Sequence, residues 1–401
     1  MGNTEVPYRI PYSFTSFFTP IVALIAIIAL GGSLFLCTVP PVQAVFVDPE
    51  VTLSLENHTS VPVIVFLKVP RPPATGSNLV SSEATNPGSQ LPQASPAPPN
   101  SLSNTSPNTP PNAPPPSPSA AEILEHQRGV RDTQKTVLSR LKTIYPSEKK
   151  IRVITITQPD IILKDNYSVI PAFSGNLTTK GLKKLEQDPL VDAIFHDGIF
   201  SLGPLPPEEP RADAAGAEPE LAYGSPAIGA PYAWNRLNMT GRNVTIAIID
   251  TGIDYTHSVF GSCSAIGPDC RVKGGYDFYN NDNNPMDDHG HGTHCAGIAA
   301  GDHQTYKGVA YEADLLAVKV LNSAGSGYWS DIIEGVDWSV THGADVISMS
   351  LGGNPYYTSP YSLRGTAAVA RAVDEAVSLG VVAVIAAGNS GPGTATIATP
   401  G

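Results

Sequence analysis

Residues 246–252, IAIIDTG, and residues 291–297, HGTHCAG, decide how this chain is interpreted. The first stretch is a continuous apolar run, which predicts a buried strand that ends in Asp250. The second places His291 between two glycines at the predicted start of a helix, where small residues let backbones approach closely. An Asp and a His presented in this way can form the pair that hydrolytic enzymes use. Taken singly, each could instead be a turn Asp or a surface His.

Around these motifs, apolar strands alternate with amphipathic helices from residue 230 onward. Such strands, separated by such helices, indicate a parallel sheet with helices on both faces, and the predicted fold class is therefore α/β. The predicted strands are 243–249, 314–321, 345–351 and 381–389, and the predicted helices are 290–300, 330–343 and 365–380.

The preceding part of the chain, residues 45–202, has a pattern that predicts a small α+β domain with two helices packed on one sheet. Its predicted strands are 61–68, 151–157 and 191–197, and its predicted helices are 119–143 and 178–187. The tract 71–118 is rich in Pro, Ser, Asn and Thr, and we expect it to be a disordered insertion in this domain. The acidic stretch 203–224 is predicted to be an exposed linker.

The N-terminal end, residues 1–44, contains an apolar run at 21–39 that is long enough to enter a bilayer. The small-residue sequence Val42-Gln43-Ala44 is typical of a signal-peptide cleavage site. The run is either a cleaved signal peptide or an uncleaved membrane anchor. Both interpretations predict export, so we expect a secreted or extracellular protein, held at the membrane only if the run is retained.

The net charge of −12 argues against a nucleic-acid partner, because phosphate binding requires clustered Lys and Arg. Four cysteines fit an exported protein. Cys263 and Cys270 flank a short Gly- and Pro-containing loop, which favours a disulfide over two free thiols. Cys295 is predicted to be a buried, inert thiol. If it lies under His291, heavy-metal thiol reagents should inhibit the complete enzyme.

Residues 225–401 resemble the subtilisin-like serine proteases. The resemblance is carried by the two motifs above, followed in the family's order by Ser350-Leu351-Gly352-Gly353 and by Asn389 in AAGNSG. It implies a serine endopeptidase in which Asp250 orients His291 and Asn389 donates to the oxyanion. It also implies that two segments flank an extended polypeptide substrate, with Tyr328 and Trp329 lining an apolar subsite. The segments are Gly325, Ser326, Gly327 and Ser350, Leu351, Gly352.

Residues 61–68 and 119–200 resemble the inhibitory, folding-assisting propeptide of the same family. The resemblance implies a zymogen whose own propeptide is its intramolecular inhibitor, with a maturation site in the linker 203–224. A nucleophilic Ser in a Gly-Thr-Ser-Met-Ala-like setting is not present in the 401 residues, and the nearest similar pair, Gly365-Thr366, carries no Ser. We therefore expect a C-terminally incomplete catalytic domain that is inactive by itself.

Two other classes of function were weighed. A secreted pseudoprotease or propeptide-type protease inhibitor is the alternative, and the coding sequence beyond residue 401 would distinguish it from an enzyme. A nucleotide-binding protein is disfavoured, because no Gly-X-Gly-X-X-Gly follows a first strand.

No cofactor is predicted with certainty and no metal ligand is assigned. The acidic loop 280–288, NNDNNPMDD, could hold a structural calcium through carboxylate and amide oxygens. An ordinary solvated loop fits equally well. A site built from His289, His291 and His294 beside Asp287 and Asp288 is disfavoured, because the surrounding motif fits a protease.

Overall fold

A computed structural model of the chain describes residues 44–69, 118–145, 158–202, 221–353, 362–393 and 396–401, with backbone only at 221–223 and 362–366. The run 21–39, the predicted strand 151–157 and the tract 71–118 apart from its last residue lie outside the described residues. Within them, no helix is both long and apolar enough to cross a membrane.

The N-terminal region is a six-stranded sheet with three helices. Its elements are β1 (Phe46–Val47), α1 (Pro49–Asn57), β2 (Ser60–Leu67), α2 (Ala120–Ser139), β3 (Thr143–Ile144), β4 (Ile161–Asn166), β5 (Ala172–Thr178), α3 (Thr179–Leu185) and β6 (Val191–His196). The strand order is β1-β6-β2-β5-β4-β3, and the central pairs are antiparallel. One face of the sheet packs Val63, Val65 and Ile194 against α2 residues such as Val137.

The described part of this region contains three helices, one more than the two that were predicted, and α1 is the additional helix. Helix α1 follows Asp48, whose carboxylate accepts a hydrogen bond from the Glu50 amide at 3.0 Å. An Asp cap followed by Pro49 is a known start signal, but only Val51 of α1 is fully buried, so the helix has little apolar periodicity. Strand β4 was not predicted either. Helix α2 begins at a capping box of Ser119 and Glu122 and ends four residues before the predicted end.

The C-terminal region contains a five-stranded parallel sheet. Strand β7 (Ile199–Ser201) ends the N-terminal region. The elements of the C-terminal region are α4 (Leu221–Ala227), α5 (Ala230–Leu237), β8 (Thr245–Asp250), a 3₁₀ turn (Ser258–Phe260), β9 (Val272–Asp277), α6 (His291–Ala300), β10 (Asp314–Lys319), β11 (Ser326–Tyr328), α7 (Trp329–Thr341), β12 (Val346–Met349), α8 (Ser362–Ser378) and β13 (Val382–Ile385). The order is β13-β12-β8-β10-β9, and every pair is parallel.

The central strand β8 has helices on both faces. Ile246 and Ile248 share a core with α6, whereas Ala247 and Ile249 share a different core with α7 and α8. The predicted α/β class, a parallel sheet covered on both faces, is confirmed. Because all five strands run in the same direction, their carboxyl ends lie along one edge of the sheet, and Asp250 lies at that edge.

Two elements of the C-terminal region were not predicted from the sequence. Helix α4 begins at Leu221, within the last residues of the predicted linker 203–224. Strand β9 was missed, because the pair Gly274-Gly275 is typical of turns and weakens the strand pattern.

The two sheets are joined by one apolar core. Phe66, Tyr167 and Phe195 of the N-terminal region belong to the same buried cluster as Ile333 of α7 and Val369 of α8. The N-terminal sheet thus covers α7 and α8 on the side away from the parallel sheet.

Candidate active site

Asp250 and His291 are brought together at the carboxyl edge of the parallel sheet. Asp250 is fully buried at the end of β8, and His291 is the first residue of α6. The Nδ1 of His291 donates to Oδ1 of Asp250 at 2.7 Å, and the Thr251 amide donates to the same oxygen at 2.7 Å. This hydrogen bond to Asp250, with a smaller contribution from Cys295, outweighs burial and raises the pKa of His291 from 6.5 to about 10. The imidazole is therefore held by a carboxylate through one nitrogen, with Nε2 left for other chemistry.

Glycine is required on both sides of His291, for a different steric reason at each position. A Cβ on Gly292 would lie 2.2 Å from the carbonyl oxygen of Gly252, so only glycine lets the helix start approach the end of β8. Gly290 has φ +100°, a conformation that other residues rarely adopt. The close approach places His291 within reach of Asp250.

Lys319 is a buried cation beside this pair that the sequence interpretation missed. Its side chain is only 1% exposed, and its Nζ donates to the carbonyls of Thr251 (2.8 Å) and Leu321 (2.7 Å) and to Oδ1 of Asp288 (2.7 Å). All three protons of the ammonium group are used. The signal in the sequence was a lone lysine inside the apolar run DLLAVKVL.

Asp287 is a second residue with a missed role. Its carboxylate accepts hydrogen bonds from the segment that leads into α6 and from Thr251. Burial alone would raise its pKa, but the hydrogen bonds from Thr293, Gly290 and His289 outweigh that effect and lower it. The sequence interpretation considered this residue only as a calcium or metal ligand.

The predicted substrate segment Gly325, Ser326, Gly327 is paired with the N-terminal region of the chain itself. Strand β11 runs antiparallel to β7, with Gly327 opposite Phe200, and the Leu202 amide donates to the Gly325 carbonyl at 2.9 Å. The Phe200 ring lies 5.3 Å from the ring of Trp329, and both are buried. An extended segment thus lies where the resemblance implied a peptide.

The model of the subtilase family matches residues 241–401. These residues form a subtilase domain. The serine protease AprX of Bacillus subtilis (strain 168) is 44% identical over 180 residues, which cover 42% of this chain and 38% of AprX. Subtilisin E of the same organism is 35% identical over 277 residues, 68% of this chain and 61% of subtilisin E. Thermitase of Thermoactinomyces vulgaris is 40% identical over 174 residues, 42% of this chain and 55% of thermitase. The chain therefore spans less than two thirds of each of these relatives.

In the subtilase domain, Asn389 lies in an exposed turn after β13, at the same edge of the sheet as Asp250. Its role as oxyanion donor stays a prediction. Ser350, Leu351 and Gly352 follow β12. The side chain of Leu351 is buried in the core, so this segment could meet a peptide only through its backbone. The next residue, Gly353, exchanges backbone hydrogen bonds with Thr399 at 2.9 and 3.2 Å.

No serine side chain is among the described contacts of His291. Within the described residues, Nε2 of His291 has no hydrogen-bond partner. The Gly365-Thr366 pair belongs to α8, which packs on the sheet face opposite α6. That pair is therefore excluded as a displaced nucleophile motif.

The cysteines have two different environments. Cys263 and Cys270 form a disulfide with a Cα–Cα distance of 5.7 Å. Cys295 is half-buried, and its Sγ lies 3.9 Å from Nδ1 of His291, one helical turn along α6. The prediction that this thiol is buried and inert is wrong in its first part, because the side chain contacts the His291 imidazole and is partly open to solvent.

The metal alternatives find little support in the donor sets. Asp287 is engaged by hydrogen-bond donors and Asp288 by Lys319, so these two carboxylates are already satisfied without calcium. Calcium in the loop 280–288 stays an untested prediction. The set His289, His291, His294 is not brought together among the described residues. In the part of the chain that the structure describes, two groups of side chains could hold a metal ion. One is Asp250, His291 and Cys295, and the other is Asp165 of β4 with Asp331 and Glu334 of α7.

Proposed function

We propose that the chain carries the Asp–His pair, the oxyanion amide and one substrate strand of a secreted serine endopeptidase, made as a zymogen. The observation that carries the proposal is the 2.7 Å hydrogen bond from His291 to the buried Asp250 inside a subtilase domain. A carboxylate that holds Nδ1 fixes the ring so that Nε2 can take the proton of a nucleophilic hydroxyl when the ring is neutral. With a His291 pKa of about 10, the neutral ring is the minor form near pH 7. The Asp250 carboxylate then stabilises the imidazolium that forms as the acyl-enzyme is made.

Asn389 would supply the second element of this chemistry. An amide donor directed at the negative charge that develops on the scissile carbonyl oxygen contributes about 10²–10³ in rate where it has been removed. The position of Asn389 beyond the carboxyl end of β13 supports this assignment, because the sheet places that end on the same edge as Asp250.

Residues 45–202 would act as the propeptide and intramolecular inhibitor. The pairing of β7 with β11 supports this role, because an extended peptide that adds to the same strand edge would have to displace β7. The alignment with subtilisin E extends over 68% of the chain, and so includes residues ahead of the subtilase domain.

A second anchor supports the same role. The carboxylate of Asp337 on α7 accepts hydrogen bonds from three successive backbone amides of the N-terminal region, those of Ser168, Val169 and Ile170, at 2.7–2.9 Å. A buried carboxylate with three such donors is well satisfied, so separation of the two regions would leave both partners unpaired.

Export is the proposed location. The disulfide Cys263–Cys270 is typical of proteins that mature in an oxidising compartment, and the apolar run 21–39 is typical of a signal for export.

The test of the enzyme assignment is covalent labelling by a fluorophosphonate probe, with casein cleavage as a second readout. We expect no labelling of residues 45–401, because no described residue places a hydroxyl opposite Nε2 of His291. We expect labelling of a product of the same gene that continues past residue 401, and loss of labelling in its His291→Ala variant. His257→Ala, an exposed histidine of the same domain, is the matched control.

The outcomes separate the alternatives. Labelling of the shorter product would mean that a nucleophile has been overlooked. Absence of labelling in a folded longer product would overturn the peptidase and favour the pseudoprotease or inhibitor.

The inhibitory docking is tested by hydrogen exchange at the β7 amides in the whole chain. Asp337→Ala should accelerate exchange at residues 199–201, because it removes the anchor for residues 168–170. Asp302→Ala, an exposed aspartate of the same domain, should not. Equal protection in both variants would argue against a docked propeptide that depends on Asp337.

A further inference from the structure

We infer that Asp287 is a positioning residue that holds Asp250 and His291 at hydrogen-bonding distance. The catalytic consequence rests on the proposed function, but the geometric role does not.

The carboxylate of Asp287 accepts five hydrogen bonds. Its Oδ1 accepts from the Thr251 hydroxyl and from the amides of His289 and Gly290, each at 2.9 Å. Its Oδ2 accepts from the amide of Thr293 at 2.8 Å and from the Thr293 hydroxyl at 2.6 Å. One side chain therefore binds both the residue after Asp250 and the two residues before His291.

The two hydroxyls extend this network into bridges. The Thr251 oxygen accepts from the Gly292 amide at 2.9 Å, and the Thr293 oxygen accepts from the Asp254 amide at 2.9 Å. Each hydroxyl has a single proton, which it donates to Asp287, so its lone pairs are directed at the opposite segment. The segment after β8 and the start of α6 are thereby tied together twice.

The bridge residues are direct neighbours of the pair they hold. Thr251 follows Asp250 and Gly292 follows His291, so a shift of either bridge displaces a group whose partner is only 2.7 Å away. The Asp287 carboxylate also faces the first turn of α6, where a negative charge is favourable. A neutral amide at this position could not reproduce the five contacts. If the Asn oxygen took the place of Oδ1, the Asn NH₂ group would take the place of Oδ2. It would then face the Thr293 amide, and both groups are donors.

The test is the pH titration of the His291 ring in the whole chain by ¹⁵N–¹H NMR. In Asp287→Asn we expect the His291 pKa to fall by about one unit and the Nδ1 proton resonance to shift or broaden. Asp282→Asn is the matched control, since this exposed carboxylate of the same loop accepts from the Asn284 amide and should leave the titration unchanged.

Threonine variants separate positioning from folding. Thr251→Val and Thr293→Val each remove one bridge and should lower the His291 pKa in the same direction, and the Ser variants should restore it. If the variants unfold at lower temperature but His291 titrates as in the parent chain, Asp287 is merely structural and the inference is overturned.

This outcome is distinct from failure of the proposed function. A changed titration without probe labelling in the longer product would leave the positioning role intact and overturn the peptidase. Labelling of the longer Asp287→Asn product at the parent rate, with an unchanged His291 titration, would overturn the positioning role alone.

Discussion

Two groups of acidic side chains in this molecule behave in opposite ways. At the active-site corner, the carboxylates of Asp250, Asp287 and Asp288 each meet directed donors, and the pKa of Asp287 is lowered. At the docking surface between β4 and α7, Asp331 and Glu334 are crowded by like charges. Burial raises the pKa of Asp331 to about 6, against the opposing effect of Lys164. Burial, followed by the charge of Asp165, raises the pKa of Glu334 to about 8.

The two groups of carboxylates differ in the hydrogen-bond donors that they meet and not in the number of charges. The docking-surface carboxylates share the ammonium group of Lys164, which binds Asp331 and lies 3.7 Å from Asp165. The ionisable groups that interact with Glu334 from both sides of the interface include Lys164, Asp165, Tyr167, Tyr276, Asp331 and Asp337. Backbone and hydroxyl donors stabilise the ionised form of Asp287, whereas burial and then neighbouring carboxylates disfavour the ionised forms of Asp331 and Glu334. Asp331 and Glu334 should therefore change their charge at a higher pH than Asp287 does.

The largest effect is expected at the active-site pair. In Asp250→Asn, the pKa of His291 should fall from about 10 toward 6.5, because the charged acceptor that raises it is gone. His291 has a raised folded-state pKa, so its contribution to stability is complete below 6.5 and is lost as the pH rises through about 10. NMR titration of the ring measures the shift, with His303, an exposed histidine, as internal reference. An unchanged midpoint would mean that Asp250 does not control the ring.

Next in size is the buried cation. Lys319→Met should lower the free energy of unfolding by about 3–5 kcal/mol, because two buried carbonyls and a carboxylate lose their donor. Denaturant unfolding measures it. Lys273→Met, on the neighbouring strand β9 and partly exposed, is the matched control and should cost less than about 1 kcal/mol. Similar losses in the two variants would contradict the role given to burial.

The docking surface should lose stability as the pH rises through neutrality. The folded-state pKa of Glu334 is raised from 4.5 to about 8, so stability is lost as the pH rises through that window. Glu334→Gln should therefore match the parent chain near pH 4.5 and unfold at a higher temperature near pH 8. Glu125→Gln, an exposed glutamate of α2, is the control. A parent chain whose unfolding temperature does not change over this window would refute the assignment.

The smallest effect is expected at the exposed end of the Lys319 network. Asp288 is about half exposed, so Asp288→Asn should cost only about 0.5–1 kcal/mol. A double-mutant cycle with Lys319→Met isolates the ion pair, and a coupling above about 3 kcal/mol would show that solvent screening has been overestimated.

Much of the fold and of the site could be predicted where the signal is local. The apolar run ending in Asp250 and the glycines around His291 predicted a strand, a helix start and their meeting point. The short helix α1 was missed because it buries little, and β9 was missed because its glycines are typical of turns.

The features that the sequence did not predict depend on contacts between residues far apart in the chain. Lys319 in an apolar strand and Asp287 in an acidic loop have meaning only once β8, β10 and α6 converge, since their partners are backbone groups far away in the chain. The same holds for β7, whose three residues have no strand pattern of their own and are ordered by the edge of β11.

The amino-acid sequence alone was enough to establish the α/β class, the Asp250–His291 pair and the resemblance to subtilases, because apolar periodicity and motif spacing are properties of neighbouring residues. Tertiary packing alone decided which carboxylates hold a proton, which lysine is buried and which segment lies on the substrate strand. These properties depend on the distance and direction of donors and charges, which arise only when separate elements meet.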